Sequence, residues 1–258
     1  GVKKSVDEAL LDNLFDRSSY LYEEPANLLK QELREPAIYN AIITAIAQGA
    51  SRINDIALKT GQENSVVSKY LGTLIDLGIV KKETPVTEKI GKKTIYELAD
   101  NFFRFWYRFV PANMSAIDSG RIQKSYVNTI KKNLPDYMGL TFEHMCRDYL
   151  LYYEKELPIE LNQVGQWWGT DNKNKKQVQI DIVGTPVEGD EYIIGSCKYR
   201  NEKIGLDELE LIREYAQVFG KGKKYYYYIF SKGGFTEGLI QAQNRREVKL
   251  IGLDDLYA

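Results

Sequence analysis

The sequence predicts an α/β protein whose amino-terminal part is rich in helix. Apolar residues recur there at helical spacing, as in the stripe Ile38, Ile42 and Ile46. Two extended runs, residues 177–184 and 192–199, flank a polar turn and are typical of paired strands. After them, predicted helices alternate with continuous apolar strands, which indicates a mixed central sheet covered on both faces.

Length and composition limit the functions that are open to this chain. Its 258 residues can form two domains with ordinary cores, and 43% of them are hydrophobic. The formal net charge is −1, so any site for a polyanion must be a local patch. Two cysteines without metal-ligand spacing favour a cytoplasmic setting, and a single histidine excludes a metal site built from histidines. No apolar run has the length of a membrane span, so we expect no membrane partner.

The chain is predicted to contain four segments. They are a helical stretch at 1–35, a winged helix at 36–100, a helical linker at 101–138 and an α/β domain at 139–258. The helical stretch is interpreted as the tail of a domain removed from a longer protein, because the sequence begins with Gly instead of Met.

Residues 36–100 are predicted to form a winged helix, with three short helices followed by two extended runs joined by a turn. The third helix presents one cation, Lys69, whereas helices that read bases usually carry several. The wing carries Lys89, Lys92 and Lys93, which could contact phosphates. DNA binding and protein docking are therefore both open for this segment.

A carboxylate and a lysine are predicted to meet on the two central strands. Alternation assigns Asp181 to one face of the first strand and Lys198 to one face of the second, and hairpin pairing brings the two strands together. Burying such a pair costs free energy unless the charges are paired or used. A structural salt bridge and a catalytic site are both open at this point. Glu143, on an amphipathic helix before the strands, could reach the same place.

This order of elements and residues resembles the restriction-endonuclease-like PD-(D/E)XK superfamily. The superfamily pattern places a Glu on the first helix, an Asp on the second strand and Glu-x-Lys on the third. Here these positions fall on Glu143, Asp181 and Ser196-Cys197-Lys198, so Ser196 stands where the second acid should be. The resemblance implies Mg²⁺ held by Glu143, Asp181 and the Cys197 carbonyl, with Lys198 beside the attacking water.

Three further lysines, Lys173, Lys175 and Lys176, lie in the turn before the central strands. A run of charges is usually a solvated loop, but in the nuclease-like fold this turn would border the substrate cleft. Together with the wing lysines they predict weak, salt-sensitive DNA binding, because few cations allow few phosphate contacts.

A second resemblance covers nearly the whole chain. The blocks Tyr20-Leu-Tyr-Glu-Glu-Pro, Tyr96-Glu-Leu-Ala-Asp and Phe103-Arg-Phe-Trp-Tyr-Arg-Phe-Val resemble the carboxy-terminal half of the archaeal-type AAA/STAND ATPases of prokaryotes. In that family a P-loop ATPase domain precedes the winged helix, which implies that domain of the full-length protein as a partner. The P-loop pattern Gly-x-x-x-x-Gly-Lys-Ser/Thr is absent here, so we expect no ATPase activity from this chain.

Two functions follow from these patterns. The first is a regulatory or nucleic-acid-binding region of a prokaryotic ATPase with a degenerate nuclease-like domain, which the neutral Ser196 favours. The alternative is an active Mg²⁺-dependent deoxyribonuclease that hydrolyses phosphodiester bonds.

If Ser196 replaces a lost metal ligand, Ser196→Glu should bind Mg²⁺ more tightly than the parent chain, because a carboxylate returns beside Asp181. Calorimetry measures the metal affinity, and a plasmid-nicking assay shows whether cleavage follows. Unchanged metal affinity would argue against a vestigial nuclease site.

Overall fold

The computed structural model describes residues 4–32, 35–88 and 93–257, which divide into two compact units. The residues of the wing turn are grouped with the carboxy-terminal unit, separately from the strands on either side of it. The first unit comprises Gly1–Glu83 and Thr94–Leu134, and the second comprises Thr84–Lys93 and Pro135–Ala258.

The first unit is helical, with one two-stranded sheet. Its elements are α1 (Val6–Leu14), α2 (Tyr20–Glu32), α3 (Pro36–Ala47), α4 (Ile53–Thr60), α5 (Asn64–Asp76), β1 (Val80–Glu83), β2 (Ile95–Leu98), α6 (Asn101–Asp118), α7 (Ile122–Ser125) and a π-helical turn (Tyr126–Ile130). Helices α3 to α5 and the antiparallel pair β1–β2 have the arrangement of a winged helix. Ile42, Ile43 and Leu74 are fully buried in its core, as the helical spacing of the apolar residues predicts.

Helix α6 fills the core of the first unit with aromatic rings. Trp106 donates its indole N–H to the carbonyl of Tyr22 at 2.8 Å, and Tyr107 donates its hydroxyl to the side chain of Asn40 at 2.6 Å. Buried rings whose polar atoms have partners contribute packing and orientation. The aromatic block of the sequence is therefore a core element of this unit.

The second unit is built on a mixed five-stranded sheet. Its elements are α8 (Lys131–Asp148, from Pro135 onward), a π-helical turn (Tyr149–Tyr153), β3 (Leu161–Asp171), β4 (Lys176–Pro186), β5 (Glu191–Lys198), α9 (Leu206–Phe219), β6 (Lys224–Ser231), α10 (Glu237–Asn244), β7 (Lys249–Gly252) and a 3₁₀ turn (Asp254–Tyr257). The strand order is β3-β4-β5-β6-β7; the first three strands are antiparallel and the last three are parallel. The predicted α/β class is confirmed. In the part of the chain that the structure covers, no helix has both the length and the apolarity to cross a membrane.

Each face of this sheet is covered by its own helices. Helix α8 places Cys146 in the cluster on one face, together with Cys197 of β5. Helices α9 and α10 cover the other face, in a cluster that includes Ile194. Because side chains alternate along a strand, Ser196 and Lys198 lie on the α9 face with Ile194. The side chains of β5 therefore alternate between the two faces of the sheet as predicted.

Strand β4 accompanies β5 over only part of its length. Among the described residues, the pairing between these strands is confined to residues 182–184 of β4. Residues 176–180 of β4 are paired with β3, and a register shift between Gly165 and Trp167 bends that ladder. Asp181 lies where β4 parts from β5, directly before the first residue of β4 that pairs with β5.

The outer edge of β3 is covered by residues 84–88, from the described part of the wing. The N–H of Val86 donates to the carbonyl of Gln166 at 2.9 Å, and the side-chain amide of Gln163 donates to the carbonyl of Val86 at 2.6 Å. A Cβ at Gly165 would come within 3.1 Å of the Val86 Cβ, so glycine permits this approach. Covering the edge satisfies backbone groups that an open edge would leave exposed.

Candidate functional site

Two carboxylates, a hydroxyl and a lysine meet where β4 parts from β5. Beyond the last β4–β5 pair, the N–H of Cys197 donates to Oδ2 of Asp181 at 2.9 Å. The hydroxyl of Ser196 lies 3.3 Å from the same Oδ2 and 2.7 Å from Oε1 of Glu208. Nζ of Lys198 lies 3.2 Å from Oε1 of Glu208. Asp181 and Glu208 are therefore joined through one hydroxyl, and Lys198 neutralises part of their charge.

Glu208 reaches this cluster from the first turn of α9. It precedes Leu209 and lies one turn before Ile212, and both of these are buried against the sheet. The periodicity of the helix therefore directs Glu208 inward, and its side chain is only 7% exposed. A carboxylate withdrawn from water needs partners, which Ser196 and Lys198 supply.

Burial and charge oppose each other in this cluster. Burial raises the pKa of Asp181, with a smaller contribution from the Glu208 carboxylate, whereas the Lys198 ammonium acts in the opposite direction. Burial by itself lowers the pKa of Lys198, but the Asp181 and Glu208 carboxylates outweigh it, and the pKa of Lys198 is raised. The lysine therefore stays an ammonium at neutral pH. With both carboxylates ionised, the cluster carries a net negative charge that a cation could neutralise.

Glu143 flanks the cluster from α8, on the opposite side of the sheet from α9. Its carboxylate accepts a hydrogen bond from Arg147, one turn later, at 3.2 Å. The pKa of Cys197 is raised mainly by burial, then by a hydrogen bond with Cys146 and by the charges of Asp181 and Glu143. Glu143 thus lies near β5 and accepts a hydrogen bond from Arg147, and its role as a metal ligand stays a prediction.

The Cys197 carbonyl is oriented toward the side of β5 on which Asp181 lies. In an extended strand, the N–H and C=O of one residue point to the same side, and the N–H of Cys197 points at Asp181. The carbonyl of Lys198 points the other way and accepts from the N–H of Lys232 at 3.1 Å. The orientation is compatible with the predicted carbonyl ligand, which likewise stays a prediction.

The structure changes the expectation for Ser196. Glu208 supplies a carboxylate beside Lys198 from helix α9, so an acid is present next to Ser196 although position 196 itself carries none. In Ser196→Glu, a second carboxylate would face Glu208 where a 2.7 Å hydrogen bond now holds it, and two like charges would repel each other. We now expect this variant to be less stable and to gain no Mg²⁺ affinity.

Glu208 is the residue that the sequence patterns do not single out. It follows Lys198 by ten residues and looks like an ordinary first-turn acid, which the helix dipole favours. One signal was available, because Glu208 shares the inward stripe of Leu209, Ile212 and Ala216. An acid among inward apolar positions indicates a buried partner.

The predicted nucleic-acid-binding lysines have different settings. Lys69 is exposed on α5, and Lys93 forms an ion pair with Glu88 at 2.6 Å, which weakens its case as a phosphate contact. Lys89 and Lys92 lie outside the described residues. The wing therefore offers less support for a DNA contact than its composition predicts.

The other three lysines surround the turn between β3 and β4. Lys173 and Lys175 are exposed, and Lys175 adopts a left-handed conformation with φ of 52°. The ammonium of Lys176 lies 5.7 Å from the centre of the Tyr215 ring on α9. The turn therefore lies against the same helix that carries Glu208.

Comparison with known proteins relates part of this chain to a described family. The family model DUF234, described as "Archaea bacterial proteins of unknown function", matches residues 106–210. This range contains Glu143, Asp181, Lys198 and Glu208. An uncharacterized protein of Methanocaldococcus jannaschii is 30% identical in an alignment of 217 residues that covers 79% of this chain. The chain spans 48% of the length of that relative.

Two solved structures have a remote likeness to this chain. One is NadR in complex with 4-hydroxyphenylacetate, with 15% identity, 52% of this chain and 88% of that chain covered and a TM-score of 0.27. The other is Can2 from Sulfobacillus thermosulfidooxidans in complex with cyclic tetra-adenylate. Its identity to this chain is 12%, the match covers 92% of this chain and 53% of that chain, and the TM-score is 0.30. Scores this low carry no argument about function.

Replacing Lys198 should reveal the repulsion between the two carboxylates. Lys198→Met keeps an unbranched apolar stem and leaves Asp181 and Glu208 without their shared cation. Since the Lys198 side chain is 29% exposed, we expect a loss of about 1–3 kcal/mol in the free energy of unfolding, less than for a fully buried pair. Urea denaturation with and without Mg²⁺ measures the loss and its recovery, because an ion that binds only the folded state stabilises it.

The matched control is Lys232→Met. Its ammonium lies 4.6 Å from the centre of the Tyr199 ring, so this variant removes a nearby lysine but no recorded contact to the carboxylates. A Lys198→Met variant as stable as the control, with no response to Mg²⁺, would contradict the shared-charge description.

Proposed function

We propose that the second unit is a divalent-metal-dependent nuclease that hydrolyses phosphodiester bonds of nucleic acid. The observation that carries this proposal is the Glu208 carboxylate, 2.7 Å from the Ser196 hydroxyl and 3.2 Å from the Lys198 ammonium. It supplies, from a helix, the second acid that the strand lacks at position 196. The sequence alone favours a degenerate site, and Glu208 removes the main reason for that preference.

The donor atoms of the cluster suit Mg²⁺. This ion prefers hard oxygen ligands and keeps several of its waters. Asp181 and Glu208 would hold it through carboxylate oxygens, with the Cys197 carbonyl as a neutral third donor and Glu143 as a candidate fourth. The Cys197 thiol packs in the cluster on the α8 face, so sulfur is not part of the set.

The side chains of the cluster are held in place before any ligand arrives. Ser196 donates to Glu208, and the N–H of Cys197 donates to Asp181, so neither carboxylate has to be ordered when an ion binds. Bound Mg²⁺ would polarise the phosphate and lower the pKa of the attacking water. Lys198 is kept protonated by its carboxylate neighbours. It therefore acts as a hydrogen-bond donor to the water or to the phosphate oxygens, and not as a base.

Removing either carboxylate should abolish most of the activity. Glu208→Gln and Asp181→Asn keep the size of the side chains but lose the charge, so we expect Mg²⁺-dependent plasmid cleavage to fall by about 10²–10³. Calorimetry should show weaker Mg²⁺ binding in both variants. Gel analysis of plasmid nicking with the purified full chain measures the rates.

The matched control is Glu210→Gln on the same helix. Glu210 is exposed and forms an ion pair with Arg213 at 2.7 Å, so its charge is not part of the cluster. The Glu210→Gln variant should cleave plasmid at the rate of the parent chain. If Glu208→Gln cleaves as fast as Glu210→Gln, or if the parent shows no Mg²⁺-dependent cleavage, the proposed activity is wrong.

We further propose that this chain is the carboxy-terminal region of an ATPase of the type that it resembles. The support is that the relative from M. jannaschii is about twice as long as the span of this chain on it, which leaves room there for another domain. We expect the full-length relative to hydrolyse ATP. The segment of it that matches this chain should not hydrolyse ATP by itself. A full-length relative without ATPase activity would reject the proposal.

A further inference from the structure

A pocket lies between the β3–β4 turn and the second half of α9, within the second unit. Its volume is about 550 Å³, which falls in the range of small-molecule sites. The turn is held by Asp171, whose carboxylate accepts from the N–H of Lys173 at 3.0 Å and from the Asn174 side chain at 2.7 Å. The left-handed Lys175 is part of the same tight turn. The wall of the pocket is therefore preformed.

The charges that line this pocket cancel. Lys173 and Lys176 are balanced by Asp171 and Glu214. A phosphate group requires a surplus of cations or N–H donors to replace its hydration. A balanced lining is better suited to a neutral polar group.

The remaining lining residues specify the shape and polarity of that group. Tyr215 contributes an aromatic ring, and Asn172 and Gln217 contribute side-chain amides. Aromatic rings stack on the faces of nucleobases, and amides can donate to and accept from the edge of a base. The pocket thus combines the contacts that a planar, neutral heterocycle requires.

The pocket lies along the same helix and strand as the carboxylate cluster. Tyr215 follows Glu208 by seven residues, which places it on the same side of α9 about 10 Å further along the axis. Lys176 precedes Asp181 by five residues, about 17 Å along β4. These distances are within reach of the few nucleotides that flank a bound phosphodiester bond.

We propose that this pocket binds an unpaired nucleobase a few nucleotides from the bond that the cluster cleaves, so that single-stranded nucleic acid is the preferred substrate. The inference rests on the proposed nuclease function. A base inside a duplex is stacked and paired, and only an unpaired base can offer its face to Tyr215 and its edge to the amides. Lys175, within the turn, is exposed and can contact the backbone of the same nucleic-acid strand.

The test is fluorescence anisotropy of the full chain with short labelled oligonucleotides, in EDTA so that binding is measured without cleavage. The probes are a DNA single strand, its duplex and an RNA single strand of the same sequence. The parent should bind the single strands more tightly than the duplex. Tyr215→Leu should weaken single-strand binding about tenfold, because the stacking surface is lost, while duplex binding is unchanged. Tyr215→Phe keeps the ring and should retain the affinity of the parent.

Two further measurements make the result independent of folding. Gln217→Ala changes an exposed residue and should weaken single-strand binding without affecting stability. An oligonucleotide series with an abasic position moved along the strand should show one position that weakens binding to the parent but not to Tyr215→Leu. If binding of the RNA single strand depends on Tyr215 to the same extent as binding of the DNA single strand, the subsite is supported and the protein does not distinguish the two sugars.

The outcomes separate this inference from the proposed function. Equal single-strand affinity in the parent, Tyr215→Leu and Gln217→Ala overturns the subsite, even if Glu208-dependent cleavage is found. Binding that depends on Tyr215 without any Mg²⁺-dependent cleavage supports the subsite and rejects the nuclease. A parent that binds duplex at least as tightly as single strand overturns the substrate preference.

Discussion

Two carboxylates that share one lysine are the constraint on which the second unit depends. Asp181 and Glu208 come from a strand and a helix that are distant in sequence, and both are largely withdrawn from water. Buried charges persist only when they are paired and hydrogen-bonded, and Ser196, Lys198 and the N–H of Cys197 meet that requirement. With both carboxylates ionised, the single lysine leaves the cluster negative, so the atoms that stabilise the fold are also those that would attract a divalent cation.

The course of β4 connects the cluster with the neighbouring pocket. By leaving β5 after its short pairing, this strand frees the N–H of Cys197 for Asp181. Its first half carries the turn across α9, where Lys176 lies over Tyr215. The register shift in the β3–β4 ladder accompanies this bend. One departure from regular pairing therefore creates both features, which is why they occur side by side on the same helix.

The first unit contributes less chemistry to the proposed function. Helix α5 of its winged helix carries one lysine, Lys69, and the aromatic side chains of α6 form the core of the unit. Residues 84–88 of the wing belong to the second unit, where they cover the edge of β3. The polar groups that these wing residues commit to β3 are not available to a nucleic acid, and the ion pair of Lys93 with Glu88 reduces the free charge further.

The sequence by itself determined the periodic features of this protein. Alternation along β5 placed Ser196 and Lys198 on one face, and turn chemistry brought Asp181 beside them, because strand period and hairpin pairing are local properties of the chain. The tertiary structure decided that Glu208 completes the cluster and that Tyr215 faces the β3–β4 turn. Both depend on which sheet face α9 covers and on where β4 leaves β5. The inward stripe of α9 indicates only that Glu208 has a buried partner. Which groups Glu208 and Tyr215 meet is set by packing between distant segments.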